Sequence, residues 1–294
     1  MTMRVSNRIS HQWVLGTVLI CTAVLPTAAL TTDEIREEFV AAPGGTLVVE
    51  VGDGHVEIVP HDEDRVVVEV YRRVRAATEQ LEQEALAEYE VKMAQRGDEV
   101  RIEGRTRRQD DWIETREFSV RFVITAPRRF SADLRTADGD ISAHGLEGRF
   151  QARTSDGNLR LRDLRGKMTV RTSDGEVEAL SCAGSLELQT SDGSVHIDNF
   201  AGPVSARTSD GDITASLHPP EQASDFQSAD GSISLRVDPA SALTFDCQVA
   251  DGEISSQLPI QGSRTRRRLQ GDLNGGGPVL LARVADGDIT VSAR

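Results

Sequence analysis

The polar and apolar positions of residues 131–217 repeat every 18 residues. Each unit alternates apolar and polar side chains, reaches an Asp-Gly pair, alternates again and closes near a second glycine. The clearest unit contains Thr172-Ser173-Asp174-Gly175-Glu176-Val177. Further copies occur at 136–141, 154–159, 190–195 and 208–213, and looser ones around Asp53, Asp230, Asp251 and Asp286. A period of two predicts half-buried strands, and Asp-Gly predicts a turn in which Gly takes positive φ without cost.

Stacking the units places apolar residues in columns. One column contains Ala132, Phe150, Met168, Leu186 and Val204. No unit can bury its apolar face alone, so the columns predict a core formed by stacked neighbours. The predicted fold class is therefore all-β, a parallel β-solenoid (β-helix or β-roll) with 18-residue coils. An antiparallel β-meander with a hairpin at each Asp-Gly pair is the alternative, although eight hairpins would exceed the usual sheet size.

The chain divides into three segments by composition. Residues 1–29 read as a signal peptide, because Arg4 and Arg8 precede an apolar run and small residues follow Pro26. An uncleaved anchor is the alternative. Residues 30–130 are predicted to form an N-terminal β-rich cap, and residues 131–294 the solenoid repeat domain, continuous with the cap.

Two details of these segments can be checked against the structure. The cap is predicted to contain a first coil near Asp53 and one helix from Ala76 to about Tyr89, with Leu81, Ala85 and Tyr89 on its apolar face. At the other end, the segment from Leu280 to Ala293 is predicted to be the last coil.

The overall charge limits the possible partners. The formal net charge is −14 at pH 7, and the first 29 residues contain no acid. A chain this acidic repels nucleic acid and anionic membrane surfaces. With the signal peptide, this predicts an exported protein of the periplasm, cell envelope or extracellular space, which contacts the membrane only through the signal before cleavage.

A column of arginines just before the turn is the main candidate binding site. It contains Arg135, Arg153, Arg171 and Arg207, then Arg283, with Gln189, Gln227 and Gln248 in the gaps. Parity places these side chains outward. Stacked guanidinium groups repel unless they are neutralised, so they predict an acidic partner such as a carboxylated or phosphorylated glycan. The alternative is pairing with the protein's own acids, such as Asp133 and Glu187. The basic segment from Arg264 to Arg268 is a second candidate patch.

The turn aspartates form a second regular ladder. They are Asp138, Asp156, Asp174, Asp192, Asp210, Asp230, Asp251 and Asp286. Such a row of carboxylates could hold Ca²⁺, but the glycine-rich nonapeptide of calcium β-rolls is absent. We therefore expect each Asp to cap its own turn backbone. No metal or cofactor is predicted.

The other motifs favour structural roles. Arg96-Gly97-Asp98 matches a cell-adhesion tripeptide but is predicted to be a hairpin turn. Cys182 and Cys247 fall on apolar columns about four coils apart, too far for a disulfide, and are predicted to be buried. No nucleophile elbow, zinc spacing or phosphate-binding loop appears, so no catalytic residue is predicted.

The serial Thr-Ser-Asp-Gly units resemble those of the bacterial putative-adhesin family, whose function is unknown. The resemblance extends to the segments 42–49 and 118–130, and to Gly275-Gly276-Gly277 before the final unit. It implies an exported β-solenoid and carries no catalytic residues. We therefore expect a non-enzymatic adhesin or envelope interaction scaffold with an unknown envelope or cell-surface partner, for which an acidic glycan is one candidate. A polysaccharide-active β-helix enzyme and a calcium-stabilised roll are the alternatives.

Overall fold

Two large β-sheets face each other across an apolar core. The computed structural model describes residues 30–107, 115–219 and 221–294. Within them, sheet A has 12 strands and sheet B has 13. The segment predicted to be a signal peptide lies outside the described residues.

The N-terminal region contributes seven strands and a helix. They are β1 (Thr31–Val40), β2 (Thr46–Val51), β3 (His55–His61), β4 (Arg65–Ala76), α1 (Glu79–Glu88), β5 (Tyr89–Arg96), β6 (Glu99–Thr106) and β7 (Thr115–Pro127).

The regular repeats form the centre of the stack. Their strands are β8 (Ser131–Arg135), β9 (Ile141–His144), β10 (Phe150–Arg153), β11 (Leu159–Arg162), β12 (Arg165–Arg171), β13 (Val177–Leu180), β14 (Ala183–Gln189), β15 (Val195–Phe200), β16 (Val204–Thr208) and β17 (Ile213–Leu217).

Each Asp-Gly turn carries the chain from sheet B to sheet A, and the next glycine turn carries it back. Strands one repeat apart pair in parallel, so that Phe150 lies beside Ala132 and Met168. The parallel solenoid is therefore confirmed. The meander alternative is wrong, because the two strands that flank an Asp-Gly turn lie in different sheets.

The N-terminal region continues both sheets at one end of the stack. The predicted first coil is present: β2 and β3 pair in parallel with β8 and β9. The coil made of β6 and β7 lies outside it, although it follows in sequence. Antiparallel strands then end the stack, with β5 on β6 in sheet B, and β4 and β1 beyond β7 in sheet A.

The helix is shorter than predicted, and its buried face is shifted: Ala85 is buried as predicted, together with Leu86 and Glu82. Its N-cap is Thr78, whose hydroxyl accepts a hydrogen bond from the backbone N–H of Leu81. Ala85 and Leu86 pack against Val74 and the half-buried Phe118, while Leu81 stays half-buried. Burial of Glu82 was not predicted, because the acids of a polar helix normally face water.

The C-terminal strands follow an unexpected spatial order. They are β18 (Ser224–Asp230), β19 (Ile233–Val237), β20 (Leu243–Asp251), β21 (Ile254–Ser256), β22 (Gln261–Arg264), β23 (Arg268–Leu273), β24 (Val279–Asp286) and β25 (Ile289–Ala293). The predicted last coil, β24 and β25, is last in sequence but not in space. It lies between the coil of β18 and β19 and the coil of β20 and β21.

A hairpin explains this order. Strand β23 pairs antiparallel with the outer edge of β20, and β22 pairs with β23. The segment Asn274 to Gly277, with positive φ at Asn274, Gly275 and Gly276, then returns the chain to the inner edge of β20. Strand β24 therefore hydrogen-bonds on both sides, and the hairpin covers the outer edge of sheet B.

Threonine, rather than the predicted aspartate, caps the regular turns. The Thr172 hydroxyl accepts a hydrogen bond from the N–H of Gly175 at 3.2 Å and donates to the carbonyl of Ser155, one coil away, at 3.1 Å. The same pair of bonds recurs in other coils, at Thr154, Thr190 and Thr208. These hydroxyls therefore hold each turn closed and tie it to the preceding coil.

The glycine of the regular Asp-Gly turn has a different purpose from the one predicted. Gly175 lies outside the left-handed region. However, a Cβ on Gly175 would lie 1.9 Å from the carbonyl oxygen of Gly157 in the preceding coil. Glycine is needed because the stacked turns approach too closely for any side chain.

Candidate functional site

The predicted arginine column exists on the outer face of sheet B. Strand register aligns nine side chains on successive rungs, which we call the Arg/Gln column: Arg135, Arg153, Arg171, Gln189, Arg207, Gln227, Arg283, Gln248 and Arg268. At a strand spacing of about 4.8 Å, the eight steps span about 38 Å.

The C-terminal members of the column depend on the spatial order of the coils. Arg283 lies between Gln227 and Gln248 because β24 lies between β18 and β20. Arg268, at the start of β23, continues the column beyond Gln248. Sequence analysis placed Arg268 in a separate basic segment. The alternation of Leu269, Gly271 and Leu273 with polar residues was the only signal for its outward position.

Three of the six arginines form close ion pairs within the protein, and a fourth, Arg268, approaches Asp246 at 4.0 Å. Arg135 binds Asp133 at 2.8 Å and Glu50 at 3.0 Å. Arg171 binds Glu187 at 3.0 Å, and Arg207 binds Asp225 at 2.7 Å. The alternative of internal pairing therefore describes these three. Each guanidinium is about half exposed, so such a pair contributes only about 0–1 kcal/mol to stability.

Arg153 and Arg283 have no ion-pair or hydrogen-bond partner for their guanidinium groups among the described residues. The paired arginines reach an acid either two positions earlier, as Arg135 does, or on the adjacent rung, as Arg171 and Arg207 do. Where Arg135 has Asp133, Arg153 has Gln151 and Arg283 has Leu281. Both arginines are exposed. They are the members of the Arg/Gln column best able to bind an outside anion.

Three shallow grooves lie on this same outer face of sheet B. The largest, about 600 Å³, follows the C-terminal half of the column and is lined by Arg207, Gln227, Arg283, Gln248 and the adjoining turn residues. The second and third, about 520 and 340 Å³, lie at the N-terminal end and share Glu50 and Arg135. The face is thus a furrowed polar surface rather than an enclosed pocket.

Two arginines of the basic segment from Arg264 to Arg268 form ion pairs with nearby acids. Arg267 approaches Asp251 at 3.3 Å, and Arg266 approaches Glu253 at 3.9 Å. Both arginines are strongly exposed. The segment forms the turn between β22 and β23 and covers the end of the stack, so it extends the basic character of the column without forming a separate cavity.

The turn aspartates form an exposed ladder and do not converge on one point. Among the described residues, no three His, Cys, Asp or Glu side chains are placed to hold a metal ion. In some coils, the side chain two positions after the turn aspartate accepts a hydrogen bond from the backbone of the following coil. For example, Asp140 Oδ1 accepts a hydrogen bond from Asn158 N at 2.8 Å, and Asp212 Oδ1 accepts one from Ser232 N at 2.7 Å.

The pKa of one carboxyl group near the N-terminal end of the ladder, that of Asp53, is perturbed. Partial burial, together with the carboxylate of Asp138, raises the pKa of Asp53 above its ordinary value. The negative charge of Asp138 on the adjacent rung disfavours ionisation of Asp53.

The remaining predicted motifs occupy structural positions. Arg96-Gly97-Asp98 is an exposed turn between β5 and β6, with Gly97 at φ +59°. Cys182 and Cys247 are buried and unpaired. Burial raises the pKa of the Cys182 thiol, and raises that of Cys247 to about 12, so both are suited to packing rather than to nucleophilic chemistry.

No helix in the described part of the chain has the length and apolar character needed to span a bilayer.

Comparison with known sequences decides the family. The sequence profile described as Toastrack DUF4097 matches residues 46–292, which is most of the chain. The chain belongs to the Toastrack DUF4097 family. The matched range contains every coil of the stack, and the resemblance inferred from the Thr-Ser-Asp-Gly units is confirmed at this level. No curated protein matches the sequence significantly.

Solved structures share the fold at low sequence identity. A putative adhesin from Bacteroides fragilis aligns with a TM-score of 0.50 and 11% identity, covering 89% of this chain and 97% of its own. A putative lipid binding protein from Parabacteroides distasonis gives 0.43 and 10%, covering 89% and 96%. A putative cell adhesion protein from Clostridium sporogenes gives 0.26 and 10%, covering 89% and 100%. At these identities the Bacteroides structure is evidence of the fold alone, and the other two carry no argument.

Proposed function

We propose that this Toastrack DUF4097 protein is an exported, non-enzymatic β-solenoid that binds an acidic glycan of the envelope or cell surface along the Arg/Gln column. The observation that carries the proposal is the column itself. It aligns nine polar side chains over about 38 Å, and it includes two exposed arginines, Arg153 and Arg283, without internal partners.

The shape and charge of this face favour an extended, sparsely charged ligand. A furrowed face with one side chain per rung suits a chain molecule lying along the stack. The protein is acidic overall, with a net charge of −14, and two column arginines lack a partner among the described residues. A nucleic acid carries a charge on every nucleotide and would be repelled, whereas a glycan with occasional carboxylates matches isolated guanidinium forks.

The acidic side chains support a non-catalytic role. Glycoside hydrolysis needs two carboxyl groups that flank one bond in a groove. Here the turn aspartates stand on the exposed outer edge of successive coils, and the acids beside the Arg/Gln column are held in ion pairs with Arg135, Arg171 and Arg207. Export is supported by the sequence of residues 1–29.

The first experiment measures binding of the purified protein to immobilised hyaluronan, which carries a carboxylate on every second sugar, and to polygalacturonate, which carries one on every sugar, with dextran as the neutral polymer. Hyaluronan should bind more tightly than polygalacturonate, because the protein is acidic overall. The double variant R153Q/R283Q should lose about tenfold or more in affinity, since each change removes charge-assisted hydrogen bonds. The matched control is R162Q/R236Q. Arg162 and Arg236 are exposed on the outer face of sheet A, so this variant removes the same charge from the opposite side and should bind as wild type.

Three results would contradict the proposal. Absence of binding to every acidic polymer would remove the ligand class. Equal losses in the two double variants would mean that binding follows total charge and not the column. New reducing ends or unsaturated sugars released from any polymer would favour the polysaccharide-active alternative. Export is tested separately by sequencing the N-terminus of protein recovered outside the inner membrane, which should begin close to Leu30.

A further inference from the structure

We infer that the C-terminal half of the Arg/Gln column contains a subsite for one uronic acid unit and the next sugar in the chain, built from Arg283, Gln227, Gln248 and a strip of three alanines. This inference rests on the proposed function and names the sugar chemistry that the column reads. It draws on features of the largest groove that the N-terminal half of the column does not share.

Arg283 is prepared to bind a carboxylate. Its guanidinium is exposed, and Leu281 occupies the position from which Asp133 neutralises Arg135. The acids on the two adjacent rungs, Asp225 and Asp246, are already engaged. Asp225 binds Arg207 and the amide of Gln227, and Asp246 accepts a hydrogen bond from the amide of Gln248 at 3.1 Å. The planar fork of Arg283 is therefore left to a bidentate partner from outside.

The glutamines on either side are oriented by those acids. The Nε2 group of Gln227 donates to Asp225 at 2.9 Å, and that of Gln248 donates to Asp246. With the N–H groups directed to the acids, each amide carbonyl oxygen is left as an acceptor. The rungs are about 4.8 Å apart, so each acceptor lies one rung from the guanidinium and the two acceptors lie about 9.6 Å from each other. One acceptor can therefore bind a hydroxyl group of the uronic acid, and the other a hydroxyl group of the next sugar in the chain.

An apolar strip adjoins these polar groups. The residue after the capping position is Ala229, Ala285 or Ala250 on these three rungs, and all three are exposed and line the groove. In the regular coils the same position is serine, at Ser155, Ser173, Ser191 and Ser209, except for Ala137 on the rung of Arg135. Three adjacent alanines occur only on the rungs that carry Gln227, Arg283 and Gln248, among the described rungs of the column. A pyranose ring has an apolar face formed by its C–H groups, which such a strip can cover.

The other unpartnered arginine lacks this setting. Arg153 lies between Arg135 and Arg171, without an amide on either adjacent rung, and the turn residue beside it is Ser155. Its surroundings offer positive potential but few groups that distinguish one anion from another. We therefore infer that Arg153 attracts anionic ligands in general, and that Arg283 binds the carboxylate of the uronic acid.

The test measures the affinity of tetragalacturonate and of its carboxyl-reduced, neutral counterpart by titration calorimetry. R283Q should weaken tetragalacturonate binding about tenfold or more, and R283K, which keeps the charge but loses the fork, should also weaken it severalfold. L281E supplies Arg283 with an acid on its own rung and should abolish binding while Arg283 remains. R236Q is the matched control and should bind as wild type. The neutral tetrasaccharide should bind poorly to every variant.

The outcomes separate this inference from the proposed function. If R153Q weakens tetragalacturonate binding while R283Q does not, the column binds acidic glycans but the subsite is wrong. Full affinity in R283K would overturn the fork geometry. Equal binding of the neutral tetrasaccharide would overturn recognition of the carboxylate. If the wild type binds no acidic polymer or oligosaccharide, both the subsite and the proposed function fall.

Discussion

Replacing Thr172 with valine tests whether the buried threonine ladder stabilises the stack. The substitution keeps the shape of the side chain and removes the hydroxyl. In the wild type that hydroxyl accepts a hydrogen bond from Gly175 N and donates to the carbonyl of Ser155. The side chain is only 7% exposed, so water cannot easily replace either partner.

The two lost hydrogen bonds have unequal consequences. The Ser155 carbonyl still accepts hydrogen bonds from the backbone N–H groups of Ser173 and Asp174, both at 3.0 Å. The Gly175 N–H has no other acceptor among the described residues, and Gly175 is buried. One buried donor is therefore left unsatisfied, which costs about 1–3 kcal/mol. We expect T172V to lower the free energy of unfolding by about 2 kcal/mol.

Urea unfolding followed by circular dichroism measures this difference. T172S keeps the hydroxyl and should lose less than T172V, since serine already occupies the equivalent position at Ser228, where it donates to the carbonyl of Gly211 at 3.0 Å. The matched control is T214V on the half-exposed outer face of sheet A, which should change stability by about 0.5 kcal/mol or less. If T172V is as stable as T172S, the hydroxyl does not satisfy a buried donor and the reasoning is wrong.

Three further predictions follow from other parts of the stack. G184A should destabilise the protein more than T172V, because a Cβ there would lie 2.0 Å from a backbone carbonyl of the preceding coil and φ is +123°. Urea unfolding measures the difference, and a smaller loss of unfolding free energy than in T172V would mean that the coils can move apart. Cys182 and Cys247 should resist a thiol reagent at about pH 8 in the native protein and react in denaturant, because burial raises both pKa values; rapid native labelling would contradict their burial. D53N should raise the melting temperature at neutral pH and change it little near pH 3, where the carboxyl is protonated in both states. The folded pKa of Asp53 is raised by burial and by Asp138, so the wild type loses stability as pH rises through that pKa; an equal effect at both pH values would exclude this cause.

Much of the candidate site could be predicted from the sequence. The even spacing of Arg135, Arg153, Arg171 and Arg207 places them on one outward column in any parallel stack with this period, and the structure aligns them so. The sequence also allowed internal pairing, but it did not show which arginines pair. That depends on whether the outward residue two positions earlier, or one on the adjacent rung, is an acid within reach.

The capping of the turns could not be read correctly from local preference. Asp-Gly is a common turn pair, and Asp often caps its own backbone. In the stack, Thr172 and its equivalents face inward. Each hydroxyl there accepts a hydrogen bond from its own turn and donates one to the preceding coil. The turn aspartates face water. The side of the turn that becomes buried is decided by the neighbouring coil, which a local pattern does not contain.

The sequence by itself determined the coil. An 18-residue period with alternating apolar positions fixes two strands, two turns and the inward columns, because each regular coil pairs with the one that follows it. Only the tertiary structure decided the order of the coils at both ends. Strands β18, β20 and β24 carry nearly the same inward and outward pattern, so each could pair with either of the others on local grounds. The hairpin of β22 and β23 selects one order, and that order places Arg283 between two glutamines.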